Sequence, residues 1–339
     1  MKKKFKLIAI LSVVLLIFCF SVSSNSVYAK ERYLYLGGHT CGFNLKTRGA
    51  TVVGITDVLT DDGVVSPSKC AGLEIGDVIL SMNGNKINTA SDLTLVLNDY
   101  KGGFIITEIL RNDNVKLCDI FPEKDVNGIY RIGVLLREDL QGLGTVTYID
   151  DEGNFGALGH PVANQNGKTY EIVSGEVFDC SIIGVNKASR GKAGELKGMF
   201  IGEKSIGSIS SNKNVGLFGK FNNFNELEHV KIEVGKAVIG KAQIVSTIDG
   251  QTSQRYDIDI IKTDYKKGNN KNLVIKVTDK ELLSKTGGIL QGMSGSPIIQ
   301  NNKLVGAVTH VFLNDSSRGY GISIYNMLSS SIVPINNVA

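Results

Sequence analysis

The chain has 339 residues, 42% of them hydrophobic and 21% charged, with a formal net charge of +4, 39 Gly, 5 Pro and no Trp. That length suits about two globular domains. Lys2, Lys3, Lys4 and Lys6 account for all of the net charge, so the rest of the chain is neutral and offers no electrostatic case for nucleic acid as a partner. Abundant Gly and short Val/Ile/Thr runs broken by Asn, Asp and Gly predict a mainly β protein.

Residues 1–29 read as an export segment. Four Lys precede an apolar run from Leu7 to Val22, and Val27-Tyr28-Ala29 offers a cleavage site. The run suits a signal peptide and is only slightly short for a membrane anchor. In both cases the remainder lies outside the cytoplasm. Beyond it stand Cys41, Cys70, Cys118 and Cys180, with no CxxC and no zinc-ligand spacing, so free thiols and no metal are expected.

A first domain is expected over residues 33–122. A strand at Ala50–Ile55 is followed by a short helix opened by Ser66-Pro67 and closed by Gly72. A strand then runs from Ile75 to Met82, and Asn83-Gly84 makes a turn. A capped helix covers Ser91–Leu97, and a hairpin joins Phe104–Arg111 to Val115–Phe121 across Asn112-Asp113-Asn114. The pattern Ser-Pro-x-x-x-Ala-Gly-Leu-x-x-Gly-Asp-x-Ile-x-x-x-Asn-Gly, from Ser66 to Gly84, resembles the PDZ domains of exported bacterial proteases. The resemblance implies a small α+β unit that docks peptide C-termini against a strand edge. Gly42-Phe43 is the expected carboxylate-binding loop. The charged stretch Glu123-Lys124-Asp125 reads as a linker to a second domain over residues 127–339.

That second domain holds Gly292-Met293-Ser294-Gly295-Ser296-Pro297, a serine enclosed by glycines and followed by an apolar strand, the turn Asn301-Asn302-Lys303 and the strand Leu304–Thr309. A nucleophilic serine needs an exposed turn with backbone N–H groups aimed at a developing oxyanion, and glycines permit that geometry. Ser294 is the expected nucleophile, with the amides of Gly292 and Ser294 as the oxyanion hole and Ser296 as a loop support. The loop resembles Gly-x-Ser-Gly-Gly-Pro of the chymotrypsin-like peptidases, although Met293 rules out their N-terminal ion-pair activation. A seryl nucleophile also needs a base. Among His39, His160, His229 and His310, His160 is preferred, because it ends Phe155-Gly156-Ala157-Leu158-Gly159 at a strand end and Pro161 fixes the chain leaving it. A carboxylate should orient the imidazole. Asp179, Asp249, Asp257, Asp259, Asp264 and Asp279 all lie between His160 and Ser294, and pattern alone leaves the six open.

Phe155-Gly156-Ala157-Leu158-Gly159-His160, Val277-Thr278-Asp279, Gln291–Gln300 and Gly306–Phe312 together resemble the stage IV sporulation protein B family of serine peptidases, over nearly the whole chain. The resemblance implies a chymotrypsin-like double β-barrel, a triad of His160, Asp279 and Ser294, a role for Thr309 in the substrate cleft, and no cofactor. It further implies self-cleavage in the space between forespore and mother-cell membranes. There it implies cleavage of a membrane-bound regulator that restrains an intramembrane protease, so that a late sigma factor is activated. The rival expectation is a membrane-anchored adaptor that has lost activity. A cysteine hydrolase using Cys180 with His160 is a weaker one.

Overall fold

The computed structural model describes residues 32–164, 167–265 and 269–331; the export segment expected at 1–29 lies outside them. Among the described residues no helix is long and apolar enough to cross a membrane.

Strand pairing closes two separate rings. In the first, Thr40–Ile55 pairs with Val134–Ile149, which pairs with Asn154–Ala157, then Gly216–Phe221, Gly207–Lys213 and Ile172–Asn186, which returns to Thr40–Ile55. In the second, Gly240–Ser246 pairs with Gln254–Thr263, then Leu273–Val277, Asp315–Ser323, Lys303–Phe312 and Pro297–Gln300, which returns to Gly240–Ser246. Each ring leaves no open edge, the usual way for an antiparallel sheet to satisfy its outer strands. The first encloses Phe43, Leu45, Val146, Ile149, Phe155 and Val177, and the second Ile244, Ile258, Ile275, Ile298, Val305 and Val308. This is the mainly β, double-barrel architecture expected from the sequence.

Residues 49–136 form an α+β module with its own core of Val52, Ile79, Met82, Leu93, Ile105, Ile109 and Ile120. Its local elements follow the sequence reading. The short helix is Pro67–Cys70, with Pro at its start. Helix Ala90–Asn98 is opened by a capping box between Thr89 and Asp92. Asn83-Gly84 and Asn112-Asp113 have positive φ at both turn positions, as two-residue hairpins of this twist require. Beneath the hairpin the Asp77 carboxylate, 1% exposed, is gripped by Nε and Nη2 of Arg111 at 2.6 Å each.

Two features differ from expectation, and both come from long-range pairing. The expected boundary at Tyr33 fails because residues 33–46 belong to the barrels: Tyr33–Leu36 pairs with Lys231–Val234, and Thr40–Lys46 lies inside the first ring. The module is therefore an insertion. Strands Thr40–Ile55 and Val134–Ile149 each run through both parts, with their register shifting where Arg137 and Asp139 face Thr51 and Lys46. The expected linker is instead a small hairpin, Glu123–Lys124 against Tyr130–Arg131.

Gly42 and Phe43 likewise do not form a loop. They are mid-strand, paired on one side with Leu143 and Gly142 and on the other with Phe178 and Val177, which leaves no amide for a peptide carboxylate. A Cβ on Gly42 would lie 2.1 Å from the Phe200 ring, so this glycine serves close packing. The outer edge at Thr51–Ile55 is taken as well, by Val134–Arg137.

Candidate active site

The nucleophile loop hangs from the second barrel, and the base hangs from the first. Gly292 and Gly295, at φ +97 and +94, fold residues 292–296 into a tight turn. Backbone bonds from Met293 to Leu290, Gly295 to Val308 and Ser296 to Met293 hold the turn. The amides of Gly292 and Ser294 donate to no carbonyl among the described residues. These are the two donors expected for an oxyanion.

Two residues that the sequence reading missed fix this loop from the opposite barrel. Thr145 and Thr147 sit on one face of strand Val134–Ile149, wholly buried. Thr145 Oγ1 donates to the Gly292 carbonyl at 3.0 Å, and Thr147 Oγ1 to the Gly295 carbonyl at 2.7 Å. The Thr145 amide donates to the Ser294 carbonyl at 2.8 Å. The alternation Thr145-Val146-Thr147 was the available signal. Ser296 supports the loop as expected, its hydroxyl 3.0 Å from the buried hydroxyl of Ser246.

Close approach at Gly295 is obligatory, because a Cβ there would lie 2.0 Å from the Thr145 carbonyl oxygen and 2.5 Å from the Leu158 nitrogen. Gly295→Ala is expected to displace the loop and lower the rate of serine labelling by about 10²-fold or more, the scale on which an ångström of misplacement acts. Labelling kinetics with a fluorophosphonate probe, beside circular dichroism of the folded variant, check this; an unchanged rate contradicts it.

His160 is presented by a strained turn. The Gly159 amide donates to the Ala157 carbonyl at 2.8 Å across Leu158, which has φ +65. A three-residue turn of this hand is rare, and its left-handed central residue costs about 1–3 kcal/mol. Leu158 is held there by burial in the first barrel's core, and Gly159 lies against Thr309 and Ile322 of the second. His160 Nδ1 lies 2.8 Å from the carbonyl oxygen of Pro161. A carbonyl only accepts, so Nδ1 carries the hydrogen and Nε2 keeps the lone pair that a base needs. Burial pushes the His160 pKa below its ordinary value, against the opposing pull of the Pro161 carbonyl.

The His160 ring packs 4.9 Å from that of His310. His310 Nδ1 is buried with no partner, and burial together with His160 pushes its pKa down to about 4. The residue before it, Thr309, accepts the Ser294 hydroxyl on its carbonyl oxygen at 2.9 Å. Ser294 and His160 thus meet neighbouring residues of one strand at the barrel junction, with the serine hydroxyl turned to Thr309 rather than to the imidazole. The Thr309 side chain, expected in the cleft, is 2% exposed and donates to the Asn270 carbonyl; its main chain is what meets the serine.

Asp279 is not brought to His160. It is the N-cap of helix Lys280–Thr286, where Oδ1 accepts the Leu282 amide at 2.8 Å and Oδ2 the Asp257 amide at 3.3 Å. Gly287, in the αL conformation, ends this helix. His39 and His229 form a separate pair, with ring centroids 6.2 Å apart. Cys180 is no rival nucleophile. Burial pushes its thiol pKa up, and its sulfur packs against Gly198 in the core.

The family model for SpoIVB peptidase S55 matches residues 128–328, which take in both barrels' site residues. The chain belongs to this family. One further likeness is to the Clostridium perfringens (strain 13 / Type A) protein named "Putative zinc metalloprotease CPE1693", at 35% identity over 69 residues. That match covers 20% of this chain and 21% of the other, so the chain spans about a fifth of that relative. Among solved structures, the SpoIVB-family chain is similar to the Rv3671c protease in its inactive form, with a TM-score of 0.31, 12% identity and coverage of 56% of this chain and 82% of that one. A serine-to-alanine mutant of Rv3671c from M. tuberculosis H37Rv, also inactive, gives a TM-score of 0.28 at 11% identity, covering 56% and 81%.

Proposed function

We propose that this SpoIVB-family peptidase is an exported endopeptidase that uses Ser294 as nucleophile and His160 as general base. The observation that carries the reading is the pair of unused amides at Gly292 and Ser294, flanking a serine at the barrel junction where His160 holds an unprotonated Nε2. Rotation about the Ser294 side chain exchanges its bond to Thr309 for one to Nε2. Oγ then attacks the scissile carbonyl carbon while its proton passes to Nε2, and the oxyanion takes the two amides. Collapse breaks the C–N bond, with His160 returning the proton to the leaving amine. Water attacks the acyl-enzyme with His160 again as base, releasing the acid and restoring Ser294.

The substrates we propose are proteins in the extracytoplasmic space: the enzyme itself, and a membrane-bound regulator of an intramembrane protease during sporulation, so that a late sigma factor becomes active. Family membership supports this assignment. The α+β module is proposed to be PDZ-like, on the Ser66–Gly84 pattern. With Gly42-Phe43 inside the first barrel, that pair does not supply the module's carboxylate-binding loop.

Treatment of the full-length protein with a fluorophosphonate, followed by peptide mass mapping, tests the nucleophile. A single adduct on Ser294 is expected. An adduct on a different serine, or none, contradicts the assignment.

A further inference from the structure

The Thr309 carbonyl that meets Ser294 is the start of an open strand edge. Strand Lys303–Phe312 pairs with Pro297–Gln300 only as far as Ala307. The Gly295 amide and the Ser296 carbonyl then take the main-chain groups of Val308. Beyond them, among the described residues, no strand pairs with Thr309–Phe312 on the side of Ser294, while Asp315–Ser323 covers the opposite side. The register shifts between Val308 and His310, a bulge that lets the Thr309 carbonyl face the serine as Val308 does. A Cβ on Gly319 would lie 2.4 Å from the His310 carbonyl oxygen, which therefore faces the partner strand. Main-chain groups alternate sides along a strand, so those of Val311 share the open edge with those of Thr309.

An extended peptide can add to this edge. With its scissile carbonyl at Ser294, the residue bearing that carbonyl lies beside Thr309. Counting back along the peptide, the second residue then lies opposite His310, the third opposite Val311 and the fourth opposite Phe312. Residues directly opposite in an antiparallel pair put their side chains on the same face. On the His310 face the His160 ring packs 4.9 Å away. The same face continues as an aromatic surface. Tyr320 is the cross-strand partner of His310, and its ring lies 4.7 Å from that of Phe312, both side chains half-buried. The exposed Lys271 places Nζ over the Tyr320 ring, 5.3 Å from its centroid.

We propose that Phe312 and Tyr320 bind the fourth substrate residue before the scissile bond and select a large apolar side chain there, and that Lys271 at their rim disfavours a basic one. The inference deepens the Ser294–His160 reading above and rests on it. A benzyl side chain laid on two half-exposed rings removes apolar area from water and gains ring contacts, whereas a second ammonium beside Lys271 meets a like charge.

The experiment reacts full-length parent, Phe312→Ala and Lys271→Glu proteins with tetrapeptidyl diphenyl phosphonates X-Ala-Ala-Val, where X is Phe, Ala, Lys or Glu. A plain fluorophosphonate is run beside them, and adducts on Ser294 are timed by mass spectrometry. Rates are read as ratios within each protein, so a general loss of reactivity in a variant cancels. For the parent, X as Phe is expected to label about tenfold faster than Ala, and Glu about threefold faster than Lys. Phe312→Ala is expected to bring the first ratio below about threefold. Lys271→Glu is expected to reverse the order of Glu and Lys while keeping the preference for Phe. A parent that takes the fluorophosphonate on Ser294, yet takes all the peptides at one rate or none of them, overturns the proposal and leaves the nucleophile standing. Ratios unchanged in either variant overturn it too. A parent whose Ser294 takes neither kind of reagent overturns the nucleophile reading and this subsite with it.

Discussion

His160→Ala is expected to lower kcat/KM by about 10⁴-fold or more while leaving the protein folded, because the serine hydroxyl loses its proposed general base. His310 is the natural control. Its ring packs on His160, its Nδ1 is partnerless and its pKa lies at about 4, so it does not take part in a hydrogen-bonded relay. His310→Phe preserves a flat ring at that place and is expected to keep activity within about tenfold. The pH profile follows from the same environment. The base works in its neutral form, and burial holds the His160 pKa below 6.5, so kcat/KM should stay level through neutrality and fall only on acidification below 6.5. An acid limb above pH 6.5, or a His310 variant as damaged as His160→Ala, contradicts the assignment of the base.

The elements legible in the sequence are those set by local rules. Turn chemistry placed Asn83-Gly84, Asn112-Asp113 and Asn301-Asn302, all with left-handed backbone in the structure. Proline and the capping residues placed the helices Pro67–Cys70 and Ala90–Asn98. The glycines around Ser294 placed the nucleophile loop, and at Gly295 a Cβ would collide with Thr145 and Leu158.

What the sequence hid depends on partners far along the chain. Thr40–Lys46 carries the same alternation whether it borders a small module or closes a barrel, and only its pairing with both Asp139–Thr145 and Ile172–Asp179 decides. Gly42 therefore looked like the start of a loop and is a packing site beneath Phe200. Thr145 and Thr147 read as ordinary strand threonines until the other barrel's carbonyls lie over them. Asp279 follows the strand Leu273–Val277, and in the structure it caps helix Lys280–Thr286, its Oδ1 accepting the Leu282 amide.

Ser294 bears the most weight in the chemistry, and its removal should have the largest effect of any single change. Alanine there leaves the turn, the free amides and the bonds from Thr145 and Thr147 in place, because those bonds go to main-chain carbonyls and not to the serine hydroxyl. Only the attacking oxygen is lost. Losses of this kind in seryl peptidases amount to about 10⁴ to 10⁶ in rate. The deciding measurement is proteolysis by purified full-length protein, followed on the chain itself and on casein, for the parent and Ser294→Ala side by side. Cleavage by the parent, with cleavage by the Ser294→Ala variant reduced to background and an unchanged melting temperature, is the predicted result. Cleavage by the variant at the parent's rate would contradict the account.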